Sequence, residues 1–296
     1  MSYVLTLDDA EQDRMVEQHY LLRTAFGSDF NSPIRSQLRK GIVVLDVGCG
    51  PGTWTMEMST AFPQSTFIGI DQKVFYPRDI KPRNCHFRTC DSIVAHNNHD
   101  NPTNNAVPLL PFPDNSIDYI YQRDMNWALK GQVWQLLLLE YQRVLKPGGW
   151  IEFVEPELET QNSLENECFM NDKLIHGLSL RQQDPYVVHR LPTLLSIHGF
   201  KRVEDISQMF PLGWGTFNET NSSIITTTPQ GHCSEFARAM SSQYLFLLKS
   251  LKPWLSIVMN LSSEKYDDYI TSLPEEWRHA HTYIKWHSII AQKPYI

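Results

Sequence analysis

Between positions 41 and 156 the chain alternates short β-rich apolar runs with stretches of helical periodicity. The runs fall at residues 42–47, 66–70, 85–89, 117–121 and 150–154, and runs of this kind separated by helices mark parallel strands joined by crossover connections. Between the last two, Val133, Leu137, Tyr141, Val144 and Leu145 recur at helical spacing. The following Lys146-Pro147-Gly148-Gly149 is expected to stop that helix and turn the chain into the next strand. The pattern predicts an α/β chain with a doubly wound, Rossmann-like sheet.

After Pro156 the periodicity changes. Helices are expected at residues 164–180 and 192–198, the second ending at Gly199, and a strand at 200–206. Residues 235–259 predict a long helix, interrupted or kinked near Pro253, and residues 282–291 a final strand. Residues 96–111, rich in Asn and Pro, read as an inserted surface loop. No internal repeat is present.

The chemistry concentrates where the first strand ends. Residues 44–52 read V-L-D-V-G-C-G-P-G, a buried strand running into a glycine-rich turn, and Asp71 follows at the end of the second strand. Glycines allow a ligand to approach the backbone, and a carboxylate at Asp71 can accept hydrogen bonds from both hydroxyls of a ribose. The combination points to a nucleoside ligand, although a glycine turn alone also serves as a plain strand-to-helix connection. In open α/β sheets ligands bind beyond the carboxyl ends of the strands, where this chain places Asp71, Asp91, residues 122–124 and Glu155. A dinucleotide fingerprint reads G-x-G-x-x-G, so G-C-G-P-G has the wrong spacing for NAD. Asp46, just before the turn, suits a cationic ligand or caps the strand end.

Composition narrows the class. Of 296 residues 42% are hydrophobic and 20% charged, which fits an ordinary globular chain, and no apolar run is long enough to cross a bilayer. The acids near the start are unlike a secretory signal, so an intracellular location, cytoplasm or nucleus, is expected. Five scattered cysteines show no metal or redox spacing and are expected to be free thiols, and no metal is expected. The sequons at Asn218, Asn221 and Asn260 would matter only in a secreted protein. A formal charge of −7 argues against a broad nucleic-acid surface.

Taken in series, V-L-D-V-G-C-G-P-G, G-I-D, L-P-F-P-D-N-S-I-D-Y-I and R-V-L-K-P-G-G-W-I-E-F-V-E resemble the motifs of class I S-adenosylmethionine-dependent methyltransferases over residues 42–155. The N-terminal E-Q-D-R-x-x-x-Q-H-Y-L-L-R, with G-F-K-R-V-E-D and P-L-G-W-G downstream, further resembles the fungal LaeA-like group. The resemblance implies a mostly parallel methyltransferase sheet with a last antiparallel strand and a helical cap. It implies a core at about 41–156, 189–211 and 280–296, and a cap at about 8–30, 157–188 and 212–279. S-adenosyl-L-methionine, leaving as S-adenosyl-L-homocysteine, would be the cofactor.

By that resemblance Asp46, Gly48, Cys49, Gly50 and Gly52 surround the methionine part, and Asp71 with Gln72 holds the ribose. Asp91 and Ser92 flank the adenine, Gln122 and Arg123 line the floor, and Tyr20 and Arg23 close over the cofactor from the N-terminal helix. Methyl transfer depends chiefly on positioning, and no strong acid or base is demanded. Glu155 is the best-placed general base; His176 and His198 are weaker candidates. Trp214, Tyr244 and Trp254 are candidates for an apolar acceptor pocket or for ordinary core. The expected acceptor is a small molecule, modified on O, N or C, in secondary metabolism. The alternative is a LaeA-like regulator that keeps the cofactor fold and acts through protein partners.

Overall fold

The computed structural model of the chain describes residues 4–91, 93, 109–218, 223–225 and 233–295. Helix α1 (Asp9–Phe26) starts where Asp8 accepts a hydrogen bond from the Glu11 amide and stops at the left-handed Gly27. After α2 (Arg35–Lys40) come β1 (Val43–Val47), α3 (Thr53–Ala61), β2 (Thr66–Asp71), β3 (Cys85–Thr89) and β4 (Ile117–Arg123). A 3₁₀ turn (Met125–Trp127), α4 (Gly131–Val144) and β5 (Leu145–Pro156) complete the first half. The second half holds α5 (Glu165–Leu180), α6 (Val187–Ile197), β6 (Lys201–Pro211), β7 (Thr216–Asn218), β8 (Ser223–Ile225), α7 (Glu235–Val258), α8 (Ser263–Ala280) and β9 (Tyr283–Gln292).

Seven strands form one sheet in the order β3-β2-β1-β4-β5-β9-β6. Strands β1 to β5 pair in parallel, and β9 runs antiparallel to both neighbours, β5 and β6. The order reverses between β1 and β4, and that switch point opens a crevice at their carboxyl ends. Alternation along β1 sends Leu45 and Val47 to one apolar layer and Val44 to the other. The first layer packs under α4 and α6 through Leu137, Tyr141, Leu191 and Leu195. The second is thicker, because α1, α3, α5, α7 and α8 all contribute to it, through Leu22, Trp54, Leu174, Leu251 and Trp277 among others.

Three local expectations are corrected. Residues 146–149 do not form a free turn: β5 begins with Leu145 opposite Ile117, and the ladder resumes only at Trp150 opposite Tyr119. The Pro-Gly-Gly run is therefore an irregular stretch within β5, with Gly148 at φ +79° and Lys146 Nζ bonded to Asp118 at 2.8 Å. Helix α7 runs unbroken through Pro253, since Leu248, Leu251 and Leu255 keep one buried stripe across it. Helix α6 starts at Val187, earlier than expected, and contains Pro192. Helix α8 was not legible as an element of its own. Its buried Tyr266, Ile270, Leu273 and Trp277 do stand at helical spacing, but among many polar neighbours and with Pro274 inside.

Candidate functional site

The glycine turn is tied to the end of β2. The amides of Gly48 and Cys49 donate to the Ile70 carbonyl at 2.9 and 3.1 Å, and the Gly50 amide donates to Asp71 Oδ2 at 2.9 Å. Gly48 and Gly50 have φ of +73° and +52°, in the left-handed region that only glycine enters without strain. Asp71 Oδ1 accepts the Lys73 amide at 2.9 Å, so each carboxylate oxygen holds one backbone donor and keeps a further lone pair. Burial raises the pKa of Asp71, and the amides of Lys73, Gly50 and Gln72 oppose that rise.

These groups border a cleft of about 1080 Å³, open solvent at its mouth included. Gly48, Cys49, Gly50, Asp71, Gln72 and Arg123 are on its wall. Helix α1 adds Arg14, Met15 and Gln18, and the end of β4 adds Asp124, expected at this edge without a role, and Met125. Ile70, Phe75, Ile93 and Leu129 supply apolar surface. Arg14 is buried against Glu11, with Nη2 to Oε1 at 2.7 Å, and lies 3.9 Å from Asp124. Arg123 donates to His19 Nδ1 at 3.1 Å. Burial first, then Arg123 and Arg23, push the His19 pKa down to about 3, so this imidazole is neutral and can accept.

The other anticipated residues stand away from that wall. Asp46 lies beneath the turn, where it accepts the Thr55 hydroxyl. Burial lifts its pKa to about 6, with Thr55 and Arg123 opposing and Asp71 adding. A Cβ on Gly52 would come within 2.5 Å of the Phe87 ring, so this glycine serves packing. Gln122 is buried and accepts the Tyr141 hydroxyl. Glu155 is fully buried and accepts the amides of Met125 and Asn126 at 3.0 and 3.3 Å. Burial, with Asp124 nearby, pushes its pKa well above the usual range, against those donors. In this arrangement Glu155 clasps the turn after β4. Asp91 is exposed and off the wall, with Cys90 and Ile93 there instead, and Ser92 lies outside the described residues.

Tyr20 and Arg23 both bond Glu57 of α3. At 3.6 residues per turn they fall on the side of α1 opposite Arg14, Met15 and Gln18. The recognisable tract E-Q-D-R-x-x-x-Q-H-Y-L-L-R thus covers the cleft with its first part, through Arg14 and Gln18. In the sequence Arg14 and Gln18 are simply polar at i and i+4, and their burial is visible only in the fold.

Two groups, Glu157 with His189 and His287, and His19 with Asp29 and Glu57, bring potential metal-ligand atoms within 4.8 Å of one another. Lys285 stands 3.5 Å from Glu157, and Arg23 pairs with Asp29 and Glu57, so protein cations already meet these charges.

Known proteins match the part of the chain that carries the glycine turn. Residues 44–149 match the family described as a methyltransferase domain. Among curated relatives, the N-methyltransferase verN of Clonostachys rogersoniana is 28% identical over 158 residues, covering 52% of this chain and 50% of its own. The secondary metabolism regulator laeA of Aspergillus fumigatus is 27% identical over 197 residues, covering 61% and 41%. The protein-methionine methyltransferase laeA of Emericella nidulans is 27% identical over 194 residues, covering 60% and 41%. The chain spans about half the length, or less, of the curated relatives it matches. Among solved structures, a phosphoethanolamine N-methyltransferase 2 of Haemonchus contortus in complex with S-adenosyl-L-methionine aligns with a TM-score of 0.47 at 15% identity, covering 94% of this chain and 57% of that one. The matched segment thus contains the glycine turn, Asp71 and the end of β4, while α1 and the later helices lie outside it. No helix among the described residues is long and apolar enough to cross a membrane.

Proposed function

We propose that the protein is an S-adenosylmethionine-dependent methyltransferase that acts on a small-molecule acceptor inside the cell, in secondary metabolism. The observation that carries this reading is the cleft at the sheet's switch point, where Asp71 is held by the glycine turn with lone pairs to spare. The residues fit the cofactor. Asp71 and Gln72 would hold the ribose hydroxyls, and Ile70, Phe75, Ile93 and Leu129 would cover the adenine. Arg14 and Arg123 would meet the carboxylate of the methionine part, and the backbone of Gly48 and Gly50 would border it. When bound, the group supplies an activated methyl on a sulfonium, and the thioether left behind needs no proton. The chain's own part is to orient the acceptor and keep out water, tasks that α1, which borders the cleft, and the expected cap would perform.

Calorimetry with S-adenosylhomocysteine tests the reading. Binding is expected, and Asp71→Ala should weaken it by roughly 10- to 150-fold, since a hydrogen bond to a charged group contributes about 1.5 to 3 kcal/mol. Tight NAD binding with no response to S-adenosylhomocysteine would overturn it. Cofactor binding with no turnover on any small molecule, together with a stable protein partner, would favour a regulator of the laeA kind.

A further inference from the structure

Glu157, just past the end of β5, His287 of β9 and His189 in the first turn of α6 meet off the cleft wall. Nitrogens converge on one oxygen, Glu157 Oε1: His287 Nε2 at 3.0 Å, Lys285 Nζ at 3.5 Å and His189 Nε2 at 4.0 Å. The other oxygen, Oε2, accepts the Gln161 side-chain amide at 3.3 Å. Glu157 and His287 are buried, while His189 is exposed, so the group is fixed on its inner side and open to solvent on the other.

His287 has a carboxylate at both ring nitrogens. Its Nδ1 lies 2.8 Å from Asp205 Oδ1 of the edge strand β6, and its Nε2 faces Glu157. A neutral imidazole carries a single N–H. With that proton given to Asp205, the Nε2 lone pair points at a carboxylate oxygen, an arrangement that calls for a cation between them. A second ring proton supplies one, yet makes no use of the imidazole nitrogen of His189 held near the same oxygen. A divalent ion uses all three groups. Asp205 behind His287 is also the outer carboxylate that orients a metal-bound histidine and raises its basicity.

We propose that Glu157, His189 and His287 bind a zinc ion, with Asp205 positioning His287 and the remaining coordination open to water. Two imidazole nitrogens and one carboxylate oxygen suit Zn²⁺, whereas Mg²⁺ and Ca²⁺ take oxygen ligands. Ligand atoms on tetrahedral zinc stand about 3.3 Å apart, since each lies about 2.0 to 2.2 Å from the metal. The three donor atoms are already within 4.8 Å of one another, and exposed His189 is free to make the adjustment. The other two ligands are held by the sheet. The Glu157 amide donates to the Lys285 carbonyl at 2.8 Å, and His287 pairs with Glu155 and Ser207 in the neighbouring strands. Without the ion, Lys285 and a second ring proton balance the two carboxylates; as it enters, the flexible stem of Lys285 carries the ammonium out to solvent. The ion ties the start of α6 to β9 and to the chain leaving β5. No cysteine takes part, and Glu157 and His287 are 130 positions apart, so cysteine spacing carries no sign of the site. The proposal does not rest on the methyltransferase reading.

The test strips the full chain with EDTA, removes the chelator and titrates Zn²⁺ by calorimetry in a buffer that does not bind metal. The tightest step is expected to take one ion per chain with a low micromolar Kd, and millimolar Mg²⁺ should not compete for it. Histidine side-chain NMR should show the ring signals of both His189 and His287 shifting at saturation. His189→Ala, at an exposed position, should weaken the step by about tenfold or more, and Asp205→Asn by about tenfold. His279→Ala, exposed in the last turn of α8, should leave it within about twofold. No micromolar Zn²⁺ binding, ring signals of His189 or His287 that stay in place, native affinity in His189→Ala or Asp205→Asn, or an equal loss in His279→Ala would each overturn the proposal. The ring signals are read on the native chain, so a variant that fails to fold leaves the test intact.

Discussion

At the carboxyl edge of the sheet, Asp71 holds the amides of Lys73 and Gly50, which are 2 and 21 positions away in the chain. Under the cap, Glu167 of α5 is fully buried and accepts the indole N–H of Trp277 in α8, 110 positions away, at 2.8 Å. Glu167 is buried and Asp71 half-buried, and both hold a donor in place. The first belongs to a connection a strand and a turn can encode locally, and the second exists only after two distant helices have packed. The strand-end edge is thus built from short-range order, and the packing of the later helices from the tertiary fold.

The difference is sharpest if the strand-end edge is broken first. Glu155→Ala should remove the acceptor for the buried amides of Met125 and Asn126 and destabilise the protein by roughly 2 to 6 kcal/mol, at about 1 to 3 kcal/mol for each stranded donor. Glu155→Gln, which keeps one acceptor oxygen, should cost less than half as much. Chemical denaturation reads both values, and S-adenosylhomocysteine affinity should fall with Glu155→Ala because Met125 borders the cleft. A variant of native stability would show that Glu155 does not clasp this turn and would restore it as a candidate base.

On the cap side the effect takes the form of a pH dependence. Burial lifts the pKa of Glu167 to about 7, against hydrogen bonds from Trp277 and Thr160. The folded protein therefore keeps a proton that the unfolded chain releases, and stability falls as pH rises from about 4.5 to about 7, then levels. Glu167→Gln carries no such proton, and its amide can face Thr160 while its carbonyl accepts Trp277. Its stability relative to the native protein should rise by about 3 kcal/mol between pH 4 and pH 8, read from denaturation curves at each pH. Asp46 contributes a slope of the same sign, from about 3.8 to about 6, but in both proteins alike. A constant difference across the range would mean that α5 and α8 are not joined through a protonated Glu167.

The same contrast explains what could be seen in the sequence. Strands β1 to β5 and β9 were legible because their apolar runs have strand length and lie between turn signals, and Asp71 because it ends one of them. Gly48 and Gly50 were legible in the glycine-rich turn, and Gln72 came from the resemblance. Glu155 and Gln122 were legible as strand-end residues but not as a buried clasp, because the turn they hold closes only in three dimensions. Asp124 was named at the strand end without a role; its left-handed φ of +57° and its bonds to Gln18 and Trp127 leave no mark in the pattern. Gln243 sits one position before Tyr244 in an amphipathic helix, and nothing in that periodicity shows that its amide is buried.

Helix α1 joins the two regions, and the smallest expected effect tests which of its faces matters. Its Arg14, Met15 and Gln18 border the cleft, whereas Tyr20 is 46% exposed and its hydroxyl donates to Glu57 of α3 at 2.9 Å. A hydrogen bond at that exposure is shared with water and constrains little. Tyr20→Phe should then change S-adenosylhomocysteine affinity by less than twofold, whereas Gln18→Leu, which breaks the bond to Asp124, should weaken it several-fold. The two variants report on opposite sides of one helix, so a rigid-body loss of α1 would affect both and is distinguished from a local contact. If Tyr20→Phe instead lowers affinity by fivefold or more while Gln18→Leu does not, the helix must rotate on binding to bring Tyr20 over the cofactor. The division into a locally encoded strand-end edge and a region built by tertiary packing would then fail at α1, since the covering face would be selected by the ligand and not by the fold.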